Sequence, residues 1–229
     1  MSHSSSLRQG ECSVDFFNKR EALITAARSL AGLGLNAGTS GNLSVRAGAV
    51  MLITPSAMAY DSITPDMIAA MPLNGEYGSW EGPKRPSSEW RFHLDIMRAK
   101  PEVGAIVHSH APYATALAMA RRPIPACHYM VTRFGGGDVR CAPYALFGTA
   151  ELSTYAVAAL QDRTACLLAN HGLIATGATL DAAMAAAVEL EMLAKQYCFA
   201  LAIGGPVLLS EHDIAAATQQ FATAYKPNV

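Results

Sequence analysis

The sequence predicts a mixed α/β (α+β) protein, and three observations predict it. Helix-like and strand-like stretches alternate from end to end. No linker-like, repetitive or low-complexity segment interrupts them, so one domain spanning residues 1–229 is expected. At 229 residues, 51% apolar and 15% charged, the chain is long and greasy enough to bury one sizeable core.

Residues 1–12 are polar and serine-rich without an apolar core, which argues against a secretory signal and predicts a disordered tail. Residues 14–33 place Phe17, Leu23, Ile24, Ala27 and Leu30 at helical spacing, and Gly32 and Gly34 then stop the helix. Residues 50–53 form a short strand ending before Pro55. Ser87 or Ser88 can cap a helix running to about residue 98, closed by Pro101. Residues 104–108 are apolar and β-branched, hence a strand, and Pro112 suits the first turn of the helix after it. Glycines 135–137 and Asp138 read as the turn of a hairpin within residues 130–143. A further strand is expected over 165–170, and helices over 149–161, 180–203 and 210–224, the last with Ser210 as cap and Asp213 three residues on. Asp181, Glu189, Glu191 and Lys195 put too much charge in residues 180–203 for a membrane span. Glu191 and Lys195 read there as an ordinary i, i+4 pair.

A net charge of −1 and the lack of any Lys/Arg cluster remove the electrostatic case for nucleic acid or an anionic membrane as partner. Five scattered cysteines without C-x-x-C spacing suggest neither a disulfide framework nor a thiolate metal site, and a reducing cytoplasm is the expected compartment.

The chemistry-bearing signal is a pair of histidines, His108 and His110, at the end of the 104–108 strand. Strand side chains at i and i+2 point to one side, so both imidazoles can reach one ion. His171 closes the 165–170 run, and Gly172 lets the chain turn away. Three neutral nitrogen ligands are the count that leaves a position free in a catalytic zinc site. The loop Gly38-Thr39-Ser40-Gly41-Asn42 has the composition of an anion cradle, and Ser87 and Ser88 at a helix start would add N–H groups and the positive dipole end. Glu89 is the residue predicted to move a proton. Cleaving a carbon–carbon bond beside a ketone leaves an enediolate, which a divalent cation can stabilise, and a carboxyl buried beside that cation can have its pKa raised toward neutrality. His93, one turn further along the same helix face, reads as structural, and Trp90 and Phe92 as core.

Seven blocks carry a resemblance to the class II aldolase/adducin family, most closely to its L-fuculose-1-phosphate aldolases. They are Gly34-Leu35-Asn36-Ala37-Gly38-Thr39-Ser40-Gly41-Asn42-Leu43-Ser44, Ile53-Thr54-Pro55-Ser56, Pro86-Ser87-Ser88-Glu89, Val107-His108-Ser109-His110, Pro125-Ala126-Cys127-His128-Tyr129-Met130, Cys141-Ala142-Pro143-Tyr144-Ala145-Leu146-Phe147-Gly148-Thr149 and Asn170-His171-Gly172. The resemblance implies a central, mostly antiparallel sheet covered by helices on both sides. It implies Zn2+ on His108, His110 and His171, with Glu89 as acid/base and resting fourth ligand. Gly41, Asn42, Ser56, Ser87 and Ser88 would hold the phosphate of dihydroxyacetone phosphate. Tyr129, reaching across a subunit boundary, would serve the aldehyde oxygen, with Phe147 near the aldehyde and Tyr225 closing over the site. The assembly implied is a cyclic homotetramer.

The activity expected is reversible cleavage of a ketose 1-phosphate such as L-fuculose 1-phosphate to dihydroxyacetone phosphate and a small aldehyde. The rival substrates are 5-deoxyribulose and 5-methylthioribulose 1-phosphates, suggested by the larger residues Val131, Thr132, Arg133 and Phe134. A sugar-phosphate epimerase, dehydratase or decarboxylase of the same family, or a non-catalytic adducin-like binding domain, fits the residues less well. One departure stands out: Ala57 occupies a position where the fuculose aldolases usually carry glycine, which weakens a backbone contact there if it needs positive φ.

Overall fold

The computed structural model describes residues 3–224. Among these described residues, seven strands form one sheet: β1 (Asn42–Ala47), β2 (Val50–Ile53), β3 (Ala69–Pro72), β4 (Ala105–Ser109), β5 (Cys141–Ala142), β6 (Ala165–Leu168) and β7 (Gly172–Gly177). Their order is β3-β2-β1-β4-β7-β6-β5. Every neighbouring pair is antiparallel except β5 with β6. Six α-helices accompany it: α1 (His3–Ser29), α2 (Trp90–Ala99), α3 (Pro112–Met119), α4 (Ala150–Ala159), α5 (Leu180–Ala202) and α6 (Glu211–Ala224).

Period-two alternation sorts the strand side chains into two cores. Leu43, Val45, Leu52, Ala105, Val107, Leu167, Leu173 and Ala175 pack with α1, α3 and α5 on one face. Met51, Ile53, Ile106, Cys166, Leu168 and Ile174 pack with α2 and α4 on the other. The expected α/β (α+β) architecture, a mostly antiparallel sheet with helices on both sides, is the one observed. No helix among the described residues is long and apolar enough to cross a membrane.

Several local expectations are corrected. Helix α1 begins at His3, so backbone expected to be a disordered tail over 1–12 is helical from residue 3, there being no proline to stop a helix from extending once nucleated. On that helix Leu23, Ile24, Ala27 and Leu30 are buried as expected, but Phe17 is half exposed. The hairpin expected within 130–143 does not form. A 3-10 helix occupies Tyr129–Phe134, Gly135 ends it at φ +94°, and Val139 bridges back to Ile124. The Arg163 guanidinium ties this segment down through Asp138 at 2.6 Å and the Gly135 carbonyl, so it is held by α4's trailing turn and not by self-pairing.

Glu191 is not simply partnered by Lys195. Its carboxylate accepts from the backbone N–H groups of Tyr113 and Ala114, both at 2.9 Å, and so caps α3 directly after the His108–His110 segment. Ser210 and Asp213 do form the reciprocal cap predicted for α6.

Gly172 has a different reason from the turn first assigned to it. The left-handed residue there is Asn170, at φ +55°, whereas a Cβ on Gly172 would lie 2.4 Å from the Ser109 carbonyl oxygen. The β4–β7 pairing therefore brings two backbones together where only glycine fits. Gly172→Ala is expected to lower stability by roughly 1–3 kcal/mol, the usual cost of overpacking, read from the urea midpoint. An unchanged midpoint contradicts the close approach.

Candidate active site

Strand β4 delivers His108, fully buried, on the α2 face of the sheet, and His110 follows two residues later beyond the strand end. The β6–β7 turn delivers His171, held by Asn170, whose amide and backbone N–H bond the Met119 and Ala118 carbonyls at the end of α3. Asn170 also accepts from the Arg121 guanidinium at 3.0 Å. Glu89 stands immediately before α2 as its N-cap residue, 7% exposed. The helix thus starts after Glu89, and Ser87 and Ser88 precede it; Ser87 Oγ accepts from the Glu89 N–H at 3.2 Å.

The three imidazoles and the carboxylate converge. His108 Nε2 lies 3.2 Å from His110 Nε2 and 3.2 Å from Glu89 Oε2. His171 Nε2 lies 3.1 Å from Glu89 Oε1. Ligand nitrogens of all three histidines lie within 4.8 Å of one another. Hydrogen bonding shows what this cluster can hold. His108 Nδ1 sits 2.8 Å from the Leu173 carbonyl, which only accepts, so Nδ1 carries a proton, and in its neutral form His108 turns an Nε2 lone pair toward an imidazole and a carboxylate. Lone pairs converging in a buried cluster call for a cation, and nitrogen donors of this number suit a divalent transition metal. The backbone carbonyl that orients His108 is the kind of outer support metal-ligating histidines have.

Protons compete with a cation for these groups. Burial alone would push the Glu89 carboxyl up, but the charge of His108 and hydrogen bonds from His108 and His171 hold it below the usual carboxylate range. Conversely, burial lowers His108 while the Glu89 charge raises it, and the rise wins. His110 is pushed down to about 4, by burial first and then by the charges of its two neighbours. Among these groups alone, the imidazoles outweigh desolvation at Glu89.

A cavity of about 350 Å³ opens onto Glu89, His110 and His171. Its lining includes a polar set, Thr39, Ser40, Gly41, Asn42, Ser56, Ser87 and Ser88, together with Tyr144, Ala145 and Phe147. Gly41 has φ +90°, and a Cβ there would meet the His108 carbonyl at 2.8 Å, so the loop packs directly on the end of β4. Tyr60, which the sequence did not single out, donates from its hydroxyl to the Gly41 carbonyl at 2.8 Å and props this loop; burial pushes its pKa to about 12. Ala57 also lines the cavity and adopts φ +55°, so the backbone takes the left-handed shape that glycine would allow, without the glycine.

Two predicted site residues are not brought here. Tyr129 is 51% exposed on its 3-10 helix, stacked on His128 and on Phe221 of α6, and does not line the cavity. Tyr225 lies outside the described residues. Val131 and Phe134 are buried in the core and do not line this cavity.

Behind the site, His93 is fully buried and uses both ring nitrogens. Nδ1 lies 2.7 Å from Ser44 Oγ, and Nε2 lies 2.5 Å from Asn42 Oδ1. It reaches Glu89 only through Asn42, whose Nδ2 donates to Glu89 Oε2 at 2.9 Å. Burial, then the charge of His108, lower its pKa from 6.5 to about 3. With the folded value depressed, the unfolded chain binds more protons between those limits. The stability linked to His93 is therefore complete above pH 6.5 and lost as pH falls toward 3. Urea unfolding at pH 7, 5 and 4 is expected to show a shallower acid loss in His93→Gln than in the parent protein; parallel curves contradict a neutral buried His93.

Residues 21–198 match the family defined as the Class II Aldolase and Adducin N-terminal domain. A 5-methylthioribulose-1-phosphate/5-deoxyribulose-1-phosphate aldolase from Rhodospirillum rubrum is 53% identical over 204 residues, spanning 89% of this chain and 91% of that enzyme. The L-fuculose phosphate aldolase of Escherichia coli K12 is 45% identical over 202 residues, spanning 88% and 93%. Among solved structures, an L-fuculose 1-phosphate aldolase superposes with a TM-score of 0.85 at 40% identity, covering 90% of this chain and 96% of that one.

Proposed function

Since the chain belongs to the class II aldolase/adducin family and is a lyase of the class II aldolase type, we propose that it cleaves a ketose 1-phosphate with a short apolar end, 5-methylthioribulose or 5-deoxyribulose 1-phosphate, to dihydroxyacetone phosphate and an aldehyde. The observation that carries the aldolase reading is the convergence of Glu89 with His108, His110 and His171 beside a cavity lined by polar groups. The 53% identical relative favours this substrate; Tyr144 and Phe147, in a block shared with the L-fuculose-1-phosphate aldolases, give a lining compatible with a methyl or methylthio group. L-fuculose 1-phosphate is the second reading, supported by the 45% identical relative.

His108, His110 and His171 would hold the metal, zinc by the nitrogen donor set. When bound it supplies Lewis-acid stabilisation of negative charge developing on the substrate's oxygens. The protein's residues do the rest. Asn42, Ser56, Ser87, Ser88 and the Gly41 backbone bind the phosphate and so orient the sugar. On cleavage, the bonding pair stays on the carbon beside the ketone, and Glu89 delivers a proton there. The hydroxyl on the departing carbon loses its proton as it becomes the aldehyde. Tyr129 would serve that oxygen. Because Tyr129 lies away from its own cavity, this role needs a second copy, which supports a homotetramer with sites at subunit boundaries. The same reading takes residues 1–229 as one domain working in the cytoplasm.

A panel of ketose 1-phosphates, with dihydroxyacetone phosphate release measured, tests the reading. The highest kcat/KM is expected on 5-methylthioribulose or 5-deoxyribulose 1-phosphate, and the unphosphorylated sugars should be poor substrates. Ser56→Ala and Ser87→Ala should raise KM alone, whereas Asn42→Ala, which also touches Glu89, should raise KM and lower kcat. Equal rates with and without phosphate contradict the anion cradle, and preference for L-fuculose 1-phosphate selects the second reading.

A further inference from the structure

Ser44, His93, Asn42 and Glu89 form one line of hydrogen bonds whose direction is set by the amide of Asn42. Its nitrogen donates to Glu89 Oε2 and its oxygen faces His93. An amide oxygen only accepts, so His93 Nε2 carries the ring proton. Nδ1 is then a bare acceptor, and Ser44 Oγ–H donates to it.

We infer that His93, backed by Ser44, is a positioning residue that locks the amide of Asn42 as a donor to Glu89. The inference rests on the aldolase reading for its catalytic consequence, but not for its geometry. Asn42 and Ser44 alternate with Leu43 and Val45 along β1, and Asn42 pairs with His108 across the sheet, so all these polar groups fall on the α2 face. There they are buried among apolar side chains: Ser44 and His93 have no exposed surface and Asn42 has 4%. Burying three polar side chains in a core is costly unless all are paired, and here the pairing is complete only with this tautomer and this amide orientation.

Without the Nε2 proton the amide could rotate by half a turn and present its oxygen to the carboxylate, acceptor against acceptor. Glu89 would then lose the donor that holds one of its two oxygens, while the amide that lines the phosphate end of the cavity would lose its orientation. The neutral state of His93 fits this role, since an imidazolium would need an acceptor at both nitrogens and Ser44 would have to reverse.

Two variants separate the role from packing. Glutamine can place an N–H where Nε2 stands, whereas methionine fills similar space and donates nothing. His93→Met is expected to lower kcat on the order of 10–100-fold, the usual effect of removing a partner behind a ligand shell, with metal content retained. His93→Gln is expected to recover most of that loss. Equal losses in both, or none in either, overturn the inference. Nitrogen-15 NMR of the imidazoles in the parent protein supplies a readout that needs no activity, with the His93 signals assigned by their absence from His93→Gln. It should show Nε2 protonated and Nδ1 bare. A proton on Nδ1 overturns the inference even if the aldolase reading stands. If instead the parent protein cleaves no ketose 1-phosphate while the expected tautomer is present, the aldolase reading fails and the lock on Asn42 survives.

Discussion

Replacing any one of His108, His110 or His171 by alanine is expected to take the metal content from about one ion per chain to near zero and to abolish turnover with it. The geometry makes the loss steep. Each imidazole supplies one nitrogen to a cluster whose ligand atoms lie within 4.8 Å of one another, and among the described residues no fourth histidine joins it. A Lewis acid contributes several kcal/mol of charge stabilisation in such a reaction, so its loss should cost on the order of 10³-fold or more in rate. Elemental analysis beside initial rates measures both. Full activity in metal-free protein would sink the metal reading. Which divalent ion restores activity best after chelation then tests zinc against cobalt, nickel or manganese, all of which accept nitrogen ligands.

With Glu89→Gln, by contrast, the metal is expected to remain while proton transfer fails. Three imidazoles stay in place, and the amide keeps an acceptor for Asn42. Wild-type protein given dihydroxyacetone phosphate in deuterated water, without aldehyde, should incorporate one deuteron stereospecifically at the carbon bearing the free hydroxyl. Glu89→Gln should slow this exchange by roughly two to four orders of magnitude, the usual worth of a positioned acid/base. Exchange at the wild-type rate with metal retained would leave the carboxylate a structural role and shift attention to Tyr129. No exchange in the wild type would point to a family member that works without proton abstraction at that carbon, or to a binding module.

The two experiments bear on a pair of interactions whose signs oppose. With no metal bound, His108 and His171 draw the Glu89 pKa down, and the Glu89 charge draws the His108 pKa up. Metal binding requires neutral imidazoles, so loading should release protons and tighten as pH rises. The carboxylate that stabilises the proton-filled cluster is thereby freed to work beside the cation.

The sequence by itself determined which residues carry the chemistry and which way the local chain points them. His108 and His110 share a side because strand geometry repeats every two residues. A helix begins close to Ser87, Ser88 and Glu89, although the structure starts it after Glu89 and not at the serines. Residues 165–170 read as a strand from their apolar character alone. Each of these is local, encoded in neighbours a few positions away.

Only the tertiary structure decided which segments lie beside one another. The polar alternation of Asn42, Ser44 and Arg46 along β1 would ordinarily mark a solvent face, yet the antiparallel pairing with β4 and the cover of α2 turn Asn42 and Ser44 inward, toward His93. Glu191 looked like half of a surface pair until α3 was set against α5. Gly172 looked like a turn residue until β4 came within 2.4 Å of where its side chain would be. Residues 130–143 offered every sign of a hairpin, but the Arg163 side chain claimed the loop. The physical reason is common to all four. Periodicity states how a side chain leaves its own strand or helix, whereas its partner across the sheet or cavity is chosen by how whole elements pack, a sum over many weak contacts far apart in sequence.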